Sequence, residues 1–252
     1  MPNEKPTPLE GKTVLITGAA RRVGAAIART LHAAGANVLL HYRSSAEEAE
    51  HLARELQAAR RGSVKTLQAD LLDAHQWAPL IDAAVGTFGR LDVLVNNAST
   101  FYPTPVGEIT PQQWDDLIGT NVKAPLFLSQ AAAPALRETG GLILNLVDIH
   151  GLRPLKRFPV YCAAKAALAM LTHSLARELA PHVRVNGIAP GPIMWPEDAP
   201  DSEMKAKIIS QTLLQRQGSP HDVARTALFF AAEAPYITGQ ILAVDGGRSV
   251  GW

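Results

Sequence analysis

The stretch VLITGAARRVGAAIA, Val14–Ala28, decides the fold. VLIT reads as a strand, Gly18 to Gly24 as a glycine-bearing turn, and the alanine-rich residues after it as a helix. In such a unit the turn glycines allow tight backbone geometry, and the helix N-terminus attracts a pyrophosphate. Gly18 and Gly24 hold the outer positions, but Arg22 stands where a close backbone approach favours glycine. A guanidinium there can lie over phosphates and still present its fork to a substrate. The alternative is an arginine that points from a loop into solvent.

Outward from this unit, short apolar runs alternate with amphipathic segments. The strands are KTVLIT, NVLLHY, SVKTLQAD, LDVLVNNA, GLILNLVD, VRVNGIAP and QILAVD. Several are apolar on consecutive residues, which suits strands covered on both faces of a parallel sheet. Helical segments are expected near Val23–Ala34, Ser45–Arg61, Ala74–Phe88, Gln112–Glu138, Val160–Ala180 and His221–Glu233, with Gly35 as a stop. The order implies an α/β doubly wound fold with right-handed crossovers. Residues 1–10 read as a flexible tail and 11–252 as one domain. The irregular piece at 194–218, after the sixth strand, reads as a substrate lid.

The end of the second strand bears on the cofactor. An acid there would hold the ribose hydroxyls of NAD. The sequence instead reads LLHYRSSAEEAE, with no acid before Glu47. Arg43, Ser44 and Ser45 suit a 2′-phosphate, so NADPH is expected; an N-cap serine beside a solvated arginine is the plainer account.

YCAAK places Tyr161 and Lys165 at i and i+4, on one helical face. A free tyrosine titrates near 10, and a neighbouring ammonium lowers that value, so the pair makes a plausible general acid. Asp148 ends the strand GLILNLVD, where ligands bind in open α/β sheets.

TGxxxxxG, NNAS at Asn96–Ser99, Asn121, YxxxK and PGPI at Pro190–Ile193 together resemble the short-chain dehydrogenase/reductase family. The resemblance covers almost the whole chain. It implies a single Rossmann domain built on a seven-stranded parallel sheet, and commonly a homotetramer. By this likeness Tyr161 is the proton donor. Lys165 lowers its pKa and holds the nicotinamide ribose, and Asn121 supports a relay water. The cofactor would meet Gly18, Arg22, Val23, Gly24, Tyr42, Arg43, Ser44, Asp70, Leu71, Asn97, Ala98, Ser99, Tyr161, Lys165, Pro190, Gly191 and Ile193.

Most family members carry a serine where Asp148 stands and a glycine where Arg22 stands. With HYRSSAEEA and NNASTFYPTP, these departures resemble the pteridine reductase branch. That likeness implies hydride addition at C6 of a dihydropterin and a proton at N5. Substrate residues would be Arg22, Ser99, Phe101, Asp148, Tyr161 and Trp195, with the pterin between Phe101 and the nicotinamide. Dihydrobiopterin and dihydromonapterin are the expected substrates, and dihydrofolate a further one. A ketone or 3-oxoacyl substrate is the alternative. Plainer accounts exist for several residues: a cap or salt bridge with Arg153 or Lys156 for Asp148, a core ring for Phe101, a packing anchor for Trp195. Trp252 is either near a neighbouring subunit's site or an exposed tail.

Composition narrows the classes. The formal net charge is +1, which argues against a nucleic-acid surface. No apolar run is long enough to span a bilayer, and the N-terminus has no signal-peptide core. Cys162 is the only cysteine, so no intrachain disulfide forms, and no spacing suggests a metal. A cytoplasmic setting is expected.

Overall fold

The computed structural model describes residues 7–195 and 201–251. Seven parallel strands form one sheet in the order β3-β2-β1-β4-β5-β6-β7. They are β1 Thr13–Ile16, β2 Asn37–Tyr42, β3 Val64–Gln68, β4 Val93–Asn96, β5 Leu142–Leu146, β6 Arg184–Pro190 and β7 Ile241–Val244. From β1 the chain winds out to β3, then returns to β4 on the other side. A crevice therefore opens at the carboxyl ends of β1 and β4, where ligands of such folds bind.

The helices are α1 Arg22–Ala33, α2 Ala46–Ala59, α3 Trp77–Phe88, α4 Pro111–Ile118, α5 Ala124–Thr139, α6 Pro159–Leu179, α7 Ser202–Ser210 and α8 Pro220–Ala232. Consecutive strand residues serve opposite cores. Val14, Ile16, Val38 and Leu40 pack with Ile27 and Leu31 of α1 and Val223 and Phe230 of α8. Leu15, Leu39 and Leu94 pack with Leu80 of α3, Leu128 and Leu136 of α5, and Leu179 of α6. That is why the strands read as continuous apolar runs.

A polar ladder crosses the second core. Asn96 and Asn145 are in register on β4 and β5, and Asn96 donates to Asn145 at 2.9 Å. Asn145 in turn donates to the Thr172 hydroxyl on α6 at 2.9 Å. All three side chains are buried, so each bond removes a desolvation cost and fixes α6 against the sheet.

Three local differences from the sequence expectation have physical causes. Leu9, assigned to the tail, is 2% exposed and its amide donates to Ala34; an apolar side chain with a core to enter orders the residues around it. The single helix expected over Gln112–Glu138 is broken by a π-turn at Gly119–Lys123. Pro125 has no N–H to give the Asn121 carbonyl, so the i→i−4 register fails there. The lid is not irregular throughout, because α7 lies inside it, started by Asp201 accepting from the Met204 amide at 2.8 Å. Its helix carries no fully buried residue, so it left no apolar stripe in the sequence.

Candidate active site

The turn after β1 is built to leave donors facing the crevice. Gly18 has φ +61, and a Cβ there would lie 3.0 Å from Ala98 Cα. A Cβ on Gly24 would meet the Gly18 carbonyl at 2.4 Å and Asn97 Nδ2 at 2.6 Å. Asn97 braces the turn by donating to the Thr17 and Gly18 carbonyls at 2.8 and 3.0 Å, while the Asn97 and Ala98 amides donate to the Thr17 hydroxyl. The N-terminus of α1 has no side-chain cap and no acid in its first turn. Uncapped amides, a positive helix end and glycines that no Cβ can replace fit a dinucleotide pyrophosphate.

The crevice here has a volume of ≈ 360 Å³. Gly18, Arg22, Val23, Gly24, Tyr42, Arg43, Ser44, Asp70, Leu71, Asn97, Ala98 and Ser99 line it, so twelve expected cofactor residues converge. Pro190, Gly191 and Ile193 lie elsewhere. Ile193 is buried in the core with α8, and Gly191 packs so tightly on Asp245 that a Cβ would approach its Cβ to 2.6 Å. His41, which the sequence did not single out, also lines the crevice.

Arg22 has φ +54, a left-handed backbone that disfavours a side chain. Both its terminal nitrogens donate to the Trp195 carbonyl at 3.2 Å. Arg22 thus joins the phosphate turn to the start of the lid. The Lys205 ammonium of α7 lies 5.9 Å from the Trp195 ring centre, so Trp195 is held from two sides. Trp252 lies outside the described residues.

The expected catalytic side chains lie next to Ser99 of the crevice wall, whose hydroxyl interacts with Tyr161. Tyr161 donates to Asp148 Oδ2 at 2.8 Å. Asp148 Oδ1 accepts from the His150 amide at 2.8 Å, so the aspartate also caps the short turn Ile149–Gly151. Lys165 is 3% exposed, and its ammonium donates to the Leu146 carbonyl at 2.9 Å. Burial pulls Lys165 down to about 8, opposed by the Asp148 charge. Tyr161 is pushed well above its ordinary value, first by burial, then by the Asp148 carboxylate, against a smaller pull from Ser99. The Lys165 Nζ, while donating to the Leu146 carbonyl, lies 5.6 Å from the Tyr161 ring centre, and the Asp148 carboxylate accepts from the hydroxyl itself.

Asn121 is fully buried within the π-turn. Its Oδ1 accepts from Ser99 at 2.7 Å, and its Nδ2 donates to Leu117 at 2.9 Å and Thr100 at 3.1 Å. The side chain holds the loop after β4.

That loop presents Phe101. Tyr102 anchors it through Asp116 of α4 at 2.9 Å, and the Thr104 amide donates to Arg157 at 2.7 Å. Phe101 stacks on Phe158 with ring centres 4.6 Å apart and meets the Tyr161 ring edge-on at 4.8 Å. It nevertheless stays 43% exposed, beside Tyr161. Phe158 was missed because its only signal, an aromatic three residues before Tyr161, reads equally as a core position. Cys162 accepts from the Leu155 amide at 3.2 Å, a packing role. Among the described residues no cluster of three metal-ligating side chains occurs, and no helix is long and apolar enough to cross a membrane.

The family model described as "Enoyl-(Acyl carrier protein) reductase" matches residues 18–249, which spans the phosphate turn, the Tyr161–Lys165 pair and β7. The chain belongs to the short-chain dehydrogenase/reductase family. Two curated members of the family are similar to it along nearly their whole length. Pteridine reductase 1 of Leishmania tarentolae is 39% identical, over 94% of this chain and 96% of that protein. The 3-oxoacyl-(acyl-carrier-protein) reductase FabG of Staphylococcus aureus (strain Mu50) is 40% identical, over 94% and 97%. Among solved structures, a blue fluorescent protein from a metagenomic library, in complex with NADPH, superposes with a TM-score of 0.90 at 35% identity. It is covered over 99% of its length and this chain over 96%. The protein is an oxidoreductase of this family.

Proposed function

We propose that this reductase uses NADPH to reduce dihydropterins to tetrahydropterins. The observation that carries the proposal is the 2.8 Å hydrogen bond from Tyr161 to Asp148, beside the exposed ring of Phe101. A ketone oxygen brings only lone pairs to the site, and so does a carboxylate. A reduced pterin ring carries N–H groups, which the Asp148 carboxylate accepts. Phe101, backed by Phe158, offers a flat heteroaromatic ring an aromatic face, worth on the order of 1 kcal/mol per pair beyond burial.

Bound NADPH would supply a hydride to C6 and leave as NADP+, while N5 takes a proton. Tyr161 is the immediate donor, kept protonated by burial, and Asp148 orients its hydroxyl. A phenolate left beside the carboxylate is disfavoured, so the Lys165 ammonium offsets that charge. Val23, Gly24 and the α1 N-terminus would hold the pyrophosphate, with Arg22 over it. Arg43, exposed at the end of β2, would meet the 2′-phosphate together with Ser44, and Tyr42, Asp70, Leu71, Asn97 and Ala98 would edge the adenosine. Trp195 and the lid would close over the substrate, and the enzyme would work as a homotetramer.

Reduction of a ketone or a 3-oxoacyl group is the second reading, favoured by the FabG relative, whose identity to this chain matches that of the pteridine reductase. The deciding experiment is oxidation of NADPH and of NADH with dihydrobiopterin, dihydromonapterin and dihydrofolate, against acetoacetyl thioesters and aryl ketones. Dihydropterin turnover with NADPH is expected to lead the panel. Faster turnover of a thioester or ketone overturns the proposal.

A further inference from the structure

His41 is a histidine at the carboxyl end of β2, only 2% exposed, yet part of the crevice wall. Its two ring nitrogens meet two main-chain groups of opposite kind. The Gly18 amide, in the phosphate turn, donates to Nδ1 at 3.1 Å. Nε2 lies 3.1 Å from the Ala69 carbonyl, at the end of β3. An amide can only donate and a carbonyl can only accept, so Nδ1 must be bare and Nε2 must carry the proton. Only one of the three forms of the imidazole satisfies both neighbours.

The same residue holds the turn a second time, because its carbonyl accepts from the Ala19 amide at 2.8 Å. Gly18 lies between this histidine and Ala98, with a left-handed φ of +61. Glycine is conformationally permissive, so neighbours rather than its own sterics must set where its amide points. On one side Asn97, just after β4, donates to the Gly18 carbonyl and to the Thr17 hydroxyl, and on the other His41 takes the Gly18 amide from β2.

We propose that His41 is a positioning residue for the cofactor: through its Nε2–H tautomer it aims the Gly18 amide and sets the shape of the turn that receives the pyrophosphate. The inference rests on a dinucleotide binding at this turn and not on which substrate is reduced. Burial supports it, since it holds the ring neutral, drawing His41 down to about 4 against the hydrogen bond to Ala69 and the charge of Asp70.

Two measurements on the full chain test it, neither needing a reducible substrate. Proton-coupled ¹⁵N NMR of histidine-labelled enzyme at neutral pH should show His41 with its proton on Nε2. Titration with NADP+ should give His41→Leu a dissociation constant raised roughly tenfold or more, from the loss of one partner to a buried amide. His41→Gln, which offers both an acceptor and a donor, should recover part of that loss. Turnover at saturating NADPH should change much less than the KM for NADPH. A His41→Leu variant that melts earlier but binds NADP+ like the parent would reduce the residue to a structural role and overturn the proposal. So would a ring protonated on Nδ1, and that measurement stands even if His41→Leu fails to fold. Loss of pterin turnover with NADP+ binding intact would strike the substrate assignment and leave this one standing.

Discussion

The two walls of the crevice are held in different ways. The inner side, built from the ends of β1, β4 and β5 and from α6, is fixed by buried and half-buried groups with short bonds: Asn97 to the turn, Tyr161 to Asp148, Lys165 to Leu146. The lid meets the turn through exposed groups, although farther along Thr212 is buried and the Ile208 carbonyl accepts from Arg248 at 2.9 Å. Arg22 reaches one carbonyl at 3.2 Å, and Lys205 lies over one indole. Buried, mutually satisfied groups are costly to disturb, whereas exposed ones exchange with water at little cost. The difference teaches which contacts hold atoms in place at little risk from water, and which a bound molecule could replace at little cost.

Removing groups from the inner wall tests its half of the contrast most severely. Tyr161→Phe should lower kcat by about 10²–10⁴-fold, the usual range for a lost general acid, with NADP+ affinity little changed. Asp148→Ser should cost dihydropterin turnover about 10²-fold while sparing ketone turnover. Equal loss on both substrates would mean that the carboxylate acts only as the cap of the turn at Ile149–Gly151.

pH probes the same wall without mutation. Unfolded, His41 would titrate at 6.5, but in the fold it titrates at about 4. Between those values the unfolded chain takes up a proton that the folded one refuses, so stability is full above pH 6.5 and falls as pH drops toward 4. Over the whole window the loss is about 3 kcal/mol, taking 1.36 kcal/mol per pKa unit. Urea titrations at several pH values should show this slope, and His41→Gln should flatten it. On the alkaline side, Lys165 loses its ammonium as pH rises through about 8. The kcat of the parent should fall over that range, and an unchanged kcat to pH 9.5 would remove Lys165 from the proton step.

Smaller effects belong to the mouth of the crevice and the lid. Phe101→Ala should raise the dihydropterin KM by about five- to tenfold, corresponding to roughly 1 kcal/mol of lost stacking, with kcat moving less. Arg22→Gly removes a left-handed arginine, a conformation that costs on the order of 1 kcal/mol, along with its two bonds to Trp195. The two changes oppose each other, so melting should shift by only a few degrees. Proteolytic nicking within 194–218 should nevertheless speed up, and an unchanged cleavage rate would show that Arg22 does not hold the lid.

Much of this was legible in the sequence because period and position carry it. The order of strands and helices followed from apolar runs, and the phosphate turn from two glycines between a strand and a helix. That Tyr161, Lys165 and Asp148 come together followed from a helical spacing and from one acid at a strand's end. What escaped depended on partners far along the chain. His41 matters because of Gly18 and Ala69, and nothing local to HYRSS announces that. The direction of the Tyr161 shift is set by burial and by the Asp148 carboxylate, which a spacing of four does not specify. The π-turn depended on one proline's missing N–H inside a segment that otherwise reads as helix.

The asparagine ladder that locks α6 to β4 and β5 has a consequence for how such an enzyme can diversify. The long helix is registered from within, by Asn145 on Thr172, so its outward stripe, where Met170 is 63% exposed, owes nothing to the chemistry. Substitutions along that stripe leave the bond from Asn145 to Thr172 untouched.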